Sequence, residues 1–305
     1  MIPLNRHGPA ILLRKMRRWM EPDLDPARVD RVFDDFDQQR GYAAWHAECR
    51  AALARPLPAP DARAADPVVR DGYAVDQVMP SGAARELLAT ATAEQHAERL
   101  KRDSAKLEGY SLDDAELLAR LVGQAISPAV DAHCLSFFGS EYFVYWTTLA
   151  RTAPVEGPAS VSFMWHCDRG PRAHLKLLVY LNDHDEHGGG TSYLALPGSD
   201  AVARSGYVFA RGKRRTDSLD ELSRLANTPL QAYEHRPHAG DAVLFQPSRV
   251  LHRGVTPRLG PRYVLTLCLL PSPVPWQQAL ARSAQIDLRH DPIWHDDARL
   301  LAQRF

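Results

Sequence analysis

Residues 142–150 read Tyr-Phe-Val-Tyr-Trp-Thr-Thr-Leu-Ala, and this run decides the fold class. Its β-branched and aromatic side chains suit a pleated, half-buried strand. From Cys134 onward the same texture recurs, which predicts further strands at 160–166, 174–182, 191–196, 242–246 and 262–270. Turn residues separate them: Gly157-Pro158, Gly170-Pro171, Gly188-Gly189-Gly190, Pro197-Gly198, Gly240 and Gly260-Pro261. Many short strands punctuated in this way specify an antiparallel sandwich or barrel.

The sequence before this region is different. Residues 1 to about 55 read as helix, with Asp25-Pro26 as a start signal and Val29, Val32, Phe33 and Phe36 at helical spacing. Arg55 to Pro67 holds four prolines and reads as a surface linker. A second unit opens at Asp71-Gly72-Tyr73, and helices are predicted over 81–104 and 112–130. Ser111 and Asp114 resemble a capping arrangement for the second of these. The residues after Pro275 read as helix again.

The 305 residues are 45% hydrophobic, enough for one large core or two modest ones. Lys+Arg and Asp+Glu are equal at 37 each, so the chain lacks the basic surplus that nucleic-acid backbones demand. Cys49, Cys134, Cys167 and Cys268 are scattered. That spacing suits reduced thiols in a cytoplasmic protein rather than a zinc site or a disulfide framework. No apolar run is long enough for a signal peptide or a membrane span.

The chemistry is concentrated in a few residues. His166 and Asp168 end the predicted strand 160–166 two positions apart, a spacing that turns both side chains to one face of a strand. His252 lies 84 residues beyond Asp168 and follows the strand-like Asp241–Phe245. Two imidazoles and a carboxylate form the facial triad of non-haem Fe(II) oxygenases, which leaves three metal positions open for a chelating co-substrate and O₂. With 13 histidines in the chain, His166 alone reads equally as a hydrogen-bonded strand histidine. Arg262 shifts that balance. It begins the strand Tyr263–Leu269, ten residues after His252. An inward strand arginine is costly unless it meets an anion, and its planar fork suits a carboxylate such as the distal one of 2-oxoglutarate. An ordinary edge-strand salt bridge is the other reading of Arg262.

These motifs resemble the phytanoyl-CoA dioxygenase-like branch of the Fe(II)/2-oxoglutarate oxygenases. The carriers are Trp165-His-Cys-Asp168, Tyr180-Leu-Asn-Asp183, Gly189-Gly-Thr191 and Leu196-Pro-Gly-Ser199, then Gly240-Asp241, His252-Arg-Gly254 and Arg262, with Asp71-Gly72-Tyr73 as the opening. The resemblance covers about residues 70–272. It implies a double-stranded β-helix (jelly roll, cupin-like) core with flanking helices, an α+β, mainly β architecture. The implied domains are an N-terminal helical extension and linker over 1–66, the oxygenase domain over 67–275, and a helical tail over 276–305 packed on the core. It further implies Fe(II) held by His166, Asp168 and His252, 2-oxoglutarate held by Arg262, and O₂ as second co-substrate. The implied reaction is hydroxylation of an unactivated C–H bond in a small-molecule, lipid or sugar-type substrate, with release of succinate and CO₂. Two departures stand out. Gly254 occupies a position where the family often has Ser, which leaves Thr256 as a replacement contact to the co-substrate, and Asp200 replaces the His that ends the Pro-Gly-Ser-His-like motif. Asp168 stands where related halogenases carry a small residue, which points to hydroxylation. The rival readings are a cupin-type metalloenzyme that does not use 2-oxoglutarate and a non-catalytic binding protein on the same barrel.

Other residues have two readings each. Lys176 follows Asp168 on a strand. Some related oxygenases bind 2-oxoglutarate through such a lysine, and a snorkelling surface lysine is the alternative. Tyr145 and Thr147 share a strand face and read as packing. Asn182–His187 contains His184 and His187 and reads as a solvated polar loop rather than a second metal site. Ile11–Met20 alternates apolar and basic residues, a pattern compatible with an anionic membrane surface or with packing on the core. Arg211–Arg215 is a basic loop that suits a phosphate- or carboxylate-bearing substrate, or simply solvent.

Overall fold

Alternation along β10 (Arg262–Ser272) organises the molecule. Leu265, Leu267 and Leu269 point to one side, into a large apolar cluster. Arg262, Val264, Thr266 and Cys268 take the other side, because successive strand residues face opposite ways. The structure is a computed structural model and describes residues 24–93, 100–102, 107–110, 115–154, 161–210, 214–282, 298–302 and 305.

β10 lies at the centre of a seven-stranded sheet of order β1-β8-β5-β10-β4-β3-β2. Its members are β1 (Tyr73–Gln77), β2 (Leu100–Arg102), β3 (Leu107–Tyr110), β4 (Glu141–Thr152), β5 (Leu175–Tyr180), β8 (Asp241–Phe245) and β10, and every neighbouring pair is antiparallel. A second antiparallel sheet of order β7-β6-β9 contains β6 (Thr191–Tyr193), β7 (Tyr233–Glu234) and β9 (His252–Gly254).

The two faces of the large sheet have separate partners. Leu175, Leu177, Val179, Leu244 and the β10 leucines pack against helical residues, among them Leu87, Leu121, Val122, Val130 and Cys134. The opposite face carries Tyr180, Val243, Phe245 and Val264, which form a cluster with Tyr193 of the small sheet. The register places Cys268 beside Lys176, Thr266 beside Leu178 and Val264 beside Tyr180, so these residues also face the space between the sheets.

Several elements depart from the sequence reading. Helix formation from Ser81 stops at Ala91, and Leu100–Arg102 is a strand within the span 81–104 expected to be helical. Its backbone pairs with β3, and β3 pairs with β4, so tertiary pairing overrides local propensity. The expected strand at 160–166 is replaced by a 3₁₀ turn at Val161–Phe163 and a single bridge at His166. The N-terminal region is broken: helix Ala27–Asp34, a π turn Asp35–Gln39, then helix Tyr42–Ala51. The expected linker contains two short helices, Pro60–Ala65 and Pro67–Arg70. Arg55 ties it down by reaching both Asp131 (2.6 Å) and Glu141 (2.7 Å). Ser111 and Asp114 lie outside the described residues.

Asp66 accepts from the Val68 amide and so caps the second of these helices, and it also pairs with His133 at 2.8 Å. Asp76 meets the other ring nitrogen of His133 at 3.2 Å. The two carboxylates, Asp66 first, push the His133 pKa up to about 9. A folded-state pKa above the unfolded value gives stability that is complete below about pH 6.5 and lost as the pH rises through about 9. The thermal stability of the parent is therefore expected to fall between those pH values, and His133→Gln is expected to flatten that decline.

Candidate metal centre and active site

His166 and His252 meet without a regular strand between them. Their amides and carbonyls exchange two hydrogen bonds of 3.0 Å, a single antiparallel bridge that puts both rings on one side, with centroids 4.4 Å apart. The Trp165 amide donates to Thr216 O and the Asp168 amide to Pro247 O, each at 2.8 Å. The His-Cys-Asp segment is thus fixed by three unrelated stretches of chain. Ser199 helps from below: its hydroxyl donates to Leu194 O and accepts from the Leu251 amide, next to His252.

Each imidazole is oriented through Nδ1, which contacts Met164 O at 2.8 Å in His166 and Val250 O at 2.9 Å in His252. A protonated Nδ1 leaves Nε2 as a lone-pair donor. Both Nε2 atoms approach Asp168 at 3.7 Å, one on each carboxylate oxygen. The three ligand atoms lie within 4.8 Å of one another, the one such cluster of three among the described residues. Burial and then the neighbouring His252 depress the His166 pKa to about 3, and burial depresses that of His252. Burial alone raises the Asp168 carboxyl, but the Lys176 ammonium and the two imidazoles outweigh it and hold it well below the usual carboxylate range. Neutral imidazoles and an ionised carboxylate are the metal-ready forms.

Lys176 reaches Asp168 Oδ2 at 2.7 Å and lies over the Trp146 ring at 5.1 Å. It therefore faces the triad and is not a surface lysine. Arg262 is buried at 7% exposure and starts the same inward face of β10. One of its terminal nitrogens donates to Gly190 O and to Val255 O (2.9 Å). Its Nε is buried without a hydrogen-bond partner, and no carboxylate among the described residues pairs with it. The edge-strand salt bridge is thereby excluded for the described residues. Burial lowers its pKa. Tyr180, which donates to Thr191 Oγ1 at 2.8 Å, and Tyr193 lie near it and oppose that shift. Thr256 is half-buried in the loop after β9, next to the Val255 carbonyl that Arg262 uses.

The recurring glycines have steric roles. A Cβ at Gly190 would stand 2.2 Å from His235 O, so only glycine lets β6 and the segment after β7 close on Arg262. Gly72, at φ +87°, would place a Cβ 2.4 Å from Val250, and its carbonyl accepts from the Gln246 amide. A Cβ at position 254 would press on the Phe163 ring at 3.2 Å, so a side chain there requires that ring to shift.

The remaining sequence candidates separate. Tyr145 packs with Phe143 in an apolar cluster, and Thr147 opposes Leu267 on the helix-facing side. The inward positions of β4 are Trp146 and Thr148. His184 and His187 join no three-ligand cluster among the described residues. His187 is fully buried, with Nδ1 accepting from the Gly189 amide, so the solvated-loop reading fails for it. Arg211–Lys213 and Ile11–Met20 lie outside the described residues. Arg215 is half-buried, donates to Ala210 O, and its charge acts on both triad histidines and Asp168. His174 was not anticipated: it is buried between Ser248 and Cys268 Sγ, and only its place one residue before β5 could have marked it. All four cysteines are free and buried.

The sequence matches no protein-family model and no curated protein. Among solved structures it is similar to the non-heme alpha ketoglutarate dependent epimerase SnoN from nogalamycin biosynthesis, at 20% identity over 69% of this chain and 82% of that one, with a TM-score of 0.50. The chain shares that fold. It is also similar to EctD from S. alaskensis in its apoform, at 18% identity over 72% of this chain and 80% of that one, with a TM-score of 0.46. Among the described residues, no helix is long and apolar enough to cross a membrane.

Proposed function

We propose that the chain is an Fe(II)- and 2-oxoglutarate-dependent oxygenase on a double-stranded β-helix, of the phytanoyl-CoA dioxygenase-like branch. The observation that carries this reading is the pairing of a two-His, one-carboxylate cluster with a buried arginine that has carbonyl partners and a bare Nε, both facing the same space between the sheets. A buried guanidinium with no carboxylate partner is costly, and a dicarboxylate chelated at the triad resolves that cost. The shared fold with an alpha ketoglutarate dependent enzyme supports the same assignment.

His166, Asp168 and His252 hold the iron. Arg262 holds the distal carboxylate of 2-oxoglutarate, with the Thr256 hydroxyl as a second contact. Lys176 is assigned to Asp168 rather than to the co-substrate, since its ammonium already lies on a carboxylate oxygen and so keeps Asp168 ionised and oriented. Iron, 2-oxoglutarate and O₂ together supply the oxidising power for an unactivated C–H bond. The protein's part is to hold the ligands, seat the co-substrate and exclude water with Trp146, Phe245 and the tyrosines. The substrate is a small molecule, and the Arg215 charge beside the triad favours an anionic one. A cupin-type enzyme that does not use 2-oxoglutarate has no use for Arg262.

The test is O₂-dependent succinate formation from 2-oxoglutarate in the presence of Fe(II), followed across a metabolite panel. Slow succinate release, accelerated by a substrate that gains oxygen, is the expected result. Because SnoN is an epimerase, products are read for inverted stereochemistry as well as for added oxygen. No succinate under any condition would overturn the assignment.

A further inference from the structure

Three tyrosines extend from the triad to the surface, and the chemistry above does not use two of them. His252 and Tyr193 are cross-strand partners on β9 and β6, and Tyr193 and Tyr233 are partners on β6 and β7. Directly opposed residues on an antiparallel ladder share a face. Tyr73, from the opening motif Asp71-Gly72-Tyr73, comes from the other sheet and stacks on both tyrosines, with centroids 5.6 Å from Tyr193 and 5.7 Å from Tyr233. Phe245 fills the remaining gap, 5.2 Å from Tyr193 and 4.8 Å from the His252 ring. Ring contacts therefore run unbroken from a metal ligand to Tyr233, which is 39% exposed.

The outer end has a proton acceptor. The Tyr233 hydroxyl lies 3.2 Å from His235 Nδ1. Burial depresses the His235 pKa to about 4, so this imidazole is neutral near pH 7 and can take a phenolic proton. Stacked tyrosines pack adequately with no such neighbour, so stacking alone leaves the pairing of an exposed phenol with a buried neutral imidazole unexplained.

We propose that Tyr193, Tyr73 and Tyr233 form a hole-transfer relay that drains oxidising equivalents from the metal centre to the surface when no substrate consumes them. This rests on the iron and 2-oxoglutarate reading. The oxidant is the iron centre after reaction with O₂. Each pass draws one electron from the protein. Tyr193 supplies it and is refilled through Tyr73 from Tyr233, so the net loss is one electron from Tyr233. The Tyr233 O–H proton passes to His235 Nδ1, leaving a neutral phenoxyl radical. A surface reductant of the thiol or ascorbate class returns one electron and releases one proton to solvent. That proton balances the solvent proton consumed with each electron where the oxidant is reduced, and His235 returns its own proton to Tyr233. Two passes dispose of a two-electron equivalent. Without the relay, the same equivalents attack oxidisable residues beside the triad, Trp146 next to Lys176 and Phe245 against the His252 ring.

The test uses the full chain loaded anaerobically with Fe(II) and 2-oxoglutarate, then exposed to O₂ without substrate. Succinate is counted, radicals are trapped for electron paramagnetic resonance, and oxidised residues are located by peptide mass spectrometry. In the parent we expect a tyrosyl radical and oxidation concentrated on Tyr233. In Tyr73→Phe and Tyr233→Phe, which keep the rings and the stacking, the radical is lost or moves inward. Oxidation then shifts to Trp146 and Phe245, and the number of succinates formed before inactivation falls several-fold. Equal turnovers before inactivation and the same oxidation map in parent and both variants would overturn the relay. If the parent forms no succinate, the oxygenase reading itself fails, and the relay fails with it.

Discussion

His252→Ala is expected to abolish turnover, a loss of more than about 10³-fold, while the chain stays folded. Changes to groups that merely support metal ligands cost about 10–100-fold, and His252 is itself one of three protein ligands in the proposed site. The backbone bridge that positions it survives the substitution, because His252 N and O, not its ring, pair with His166. What is lost is a buried ring against Phe245 and His166 and one hydrogen bond to Val250 O. That leaves a cavity worth about 2–3 kcal/mol, which a domain of ordinary stability survives. His166→Ala and Asp168→Ala are expected to behave alike. Bound iron per chain, thermal midpoint and succinate formation check this, and full turnover in any of the three would remove that residue from the ligand set.

Arg262→Leu is expected to raise the 2-oxoglutarate requirement on the order of 10²-fold or more while iron binding is nearly unchanged. Truncating one partner of a buried charge pair costs about 3–5 kcal/mol, and each 1.4 kcal/mol is tenfold in affinity. The guanidinium also satisfies the Gly190 and Val255 carbonyls, so some stability is lost as well, about 1–3 kcal/mol for a buried acceptor left bare. Arg262→Lys separates the two effects. It keeps the charge and loses the planar fork, so its co-substrate affinity falls between those of the parent and the leucine variant. Apparent affinity for 2-oxoglutarate at saturating Fe(II) is the measurement. Normal binding in Arg262→Leu would transfer the anchoring role to Lys176.

The strands that carry the site were legible because they are apolar runs set off by Gly170-Pro171 and Gly260-Pro261: 262–270 against the observed Arg262–Ser272, and 174–182 against Leu175–Tyr180. The residue identities of the triad were legible too, but the reason offered for His166 and Asp168 was not the operative one. They do not share a strand face. His166 exchanges hydrogen bonds with His252, the Asp168 amide donates to Pro247, and the Trp165 amide before them donates to Thr216, partners 51 to 86 positions away that no local pattern announces. Comparable separations concealed the burial of His174 between Ser248 and Cys268 and the stacking of Tyr73 on Tyr193 and Tyr233. Where the reading failed outright, at the helix expected to run to residue 104, Leu100–Arg102 forms a hairpin with β3, and the pairing of β3 with the distant β4 draws that hairpin into the large sheet against a local preference. Gly254 is a further case: the Phe163 ring that crowds it comes from a distant segment that no sequence pattern places there.

The central claim is that iron and 2-oxoglutarate meet at His166, Asp168 and His252 with Arg262 holding the far carboxylate. Anaerobic titration of the chain with Fe(II) and 2-oxoglutarate tests it most directly, read as the visible charge-transfer absorption that arises when a 2-oxo acid chelates ferrous iron. The account predicts a band that saturates at one iron per chain, vanishes in His252→Ala and needs far more 2-oxoglutarate in Arg262→Leu. No band in the parent, or a band unchanged in His252→Ala, would contradict it.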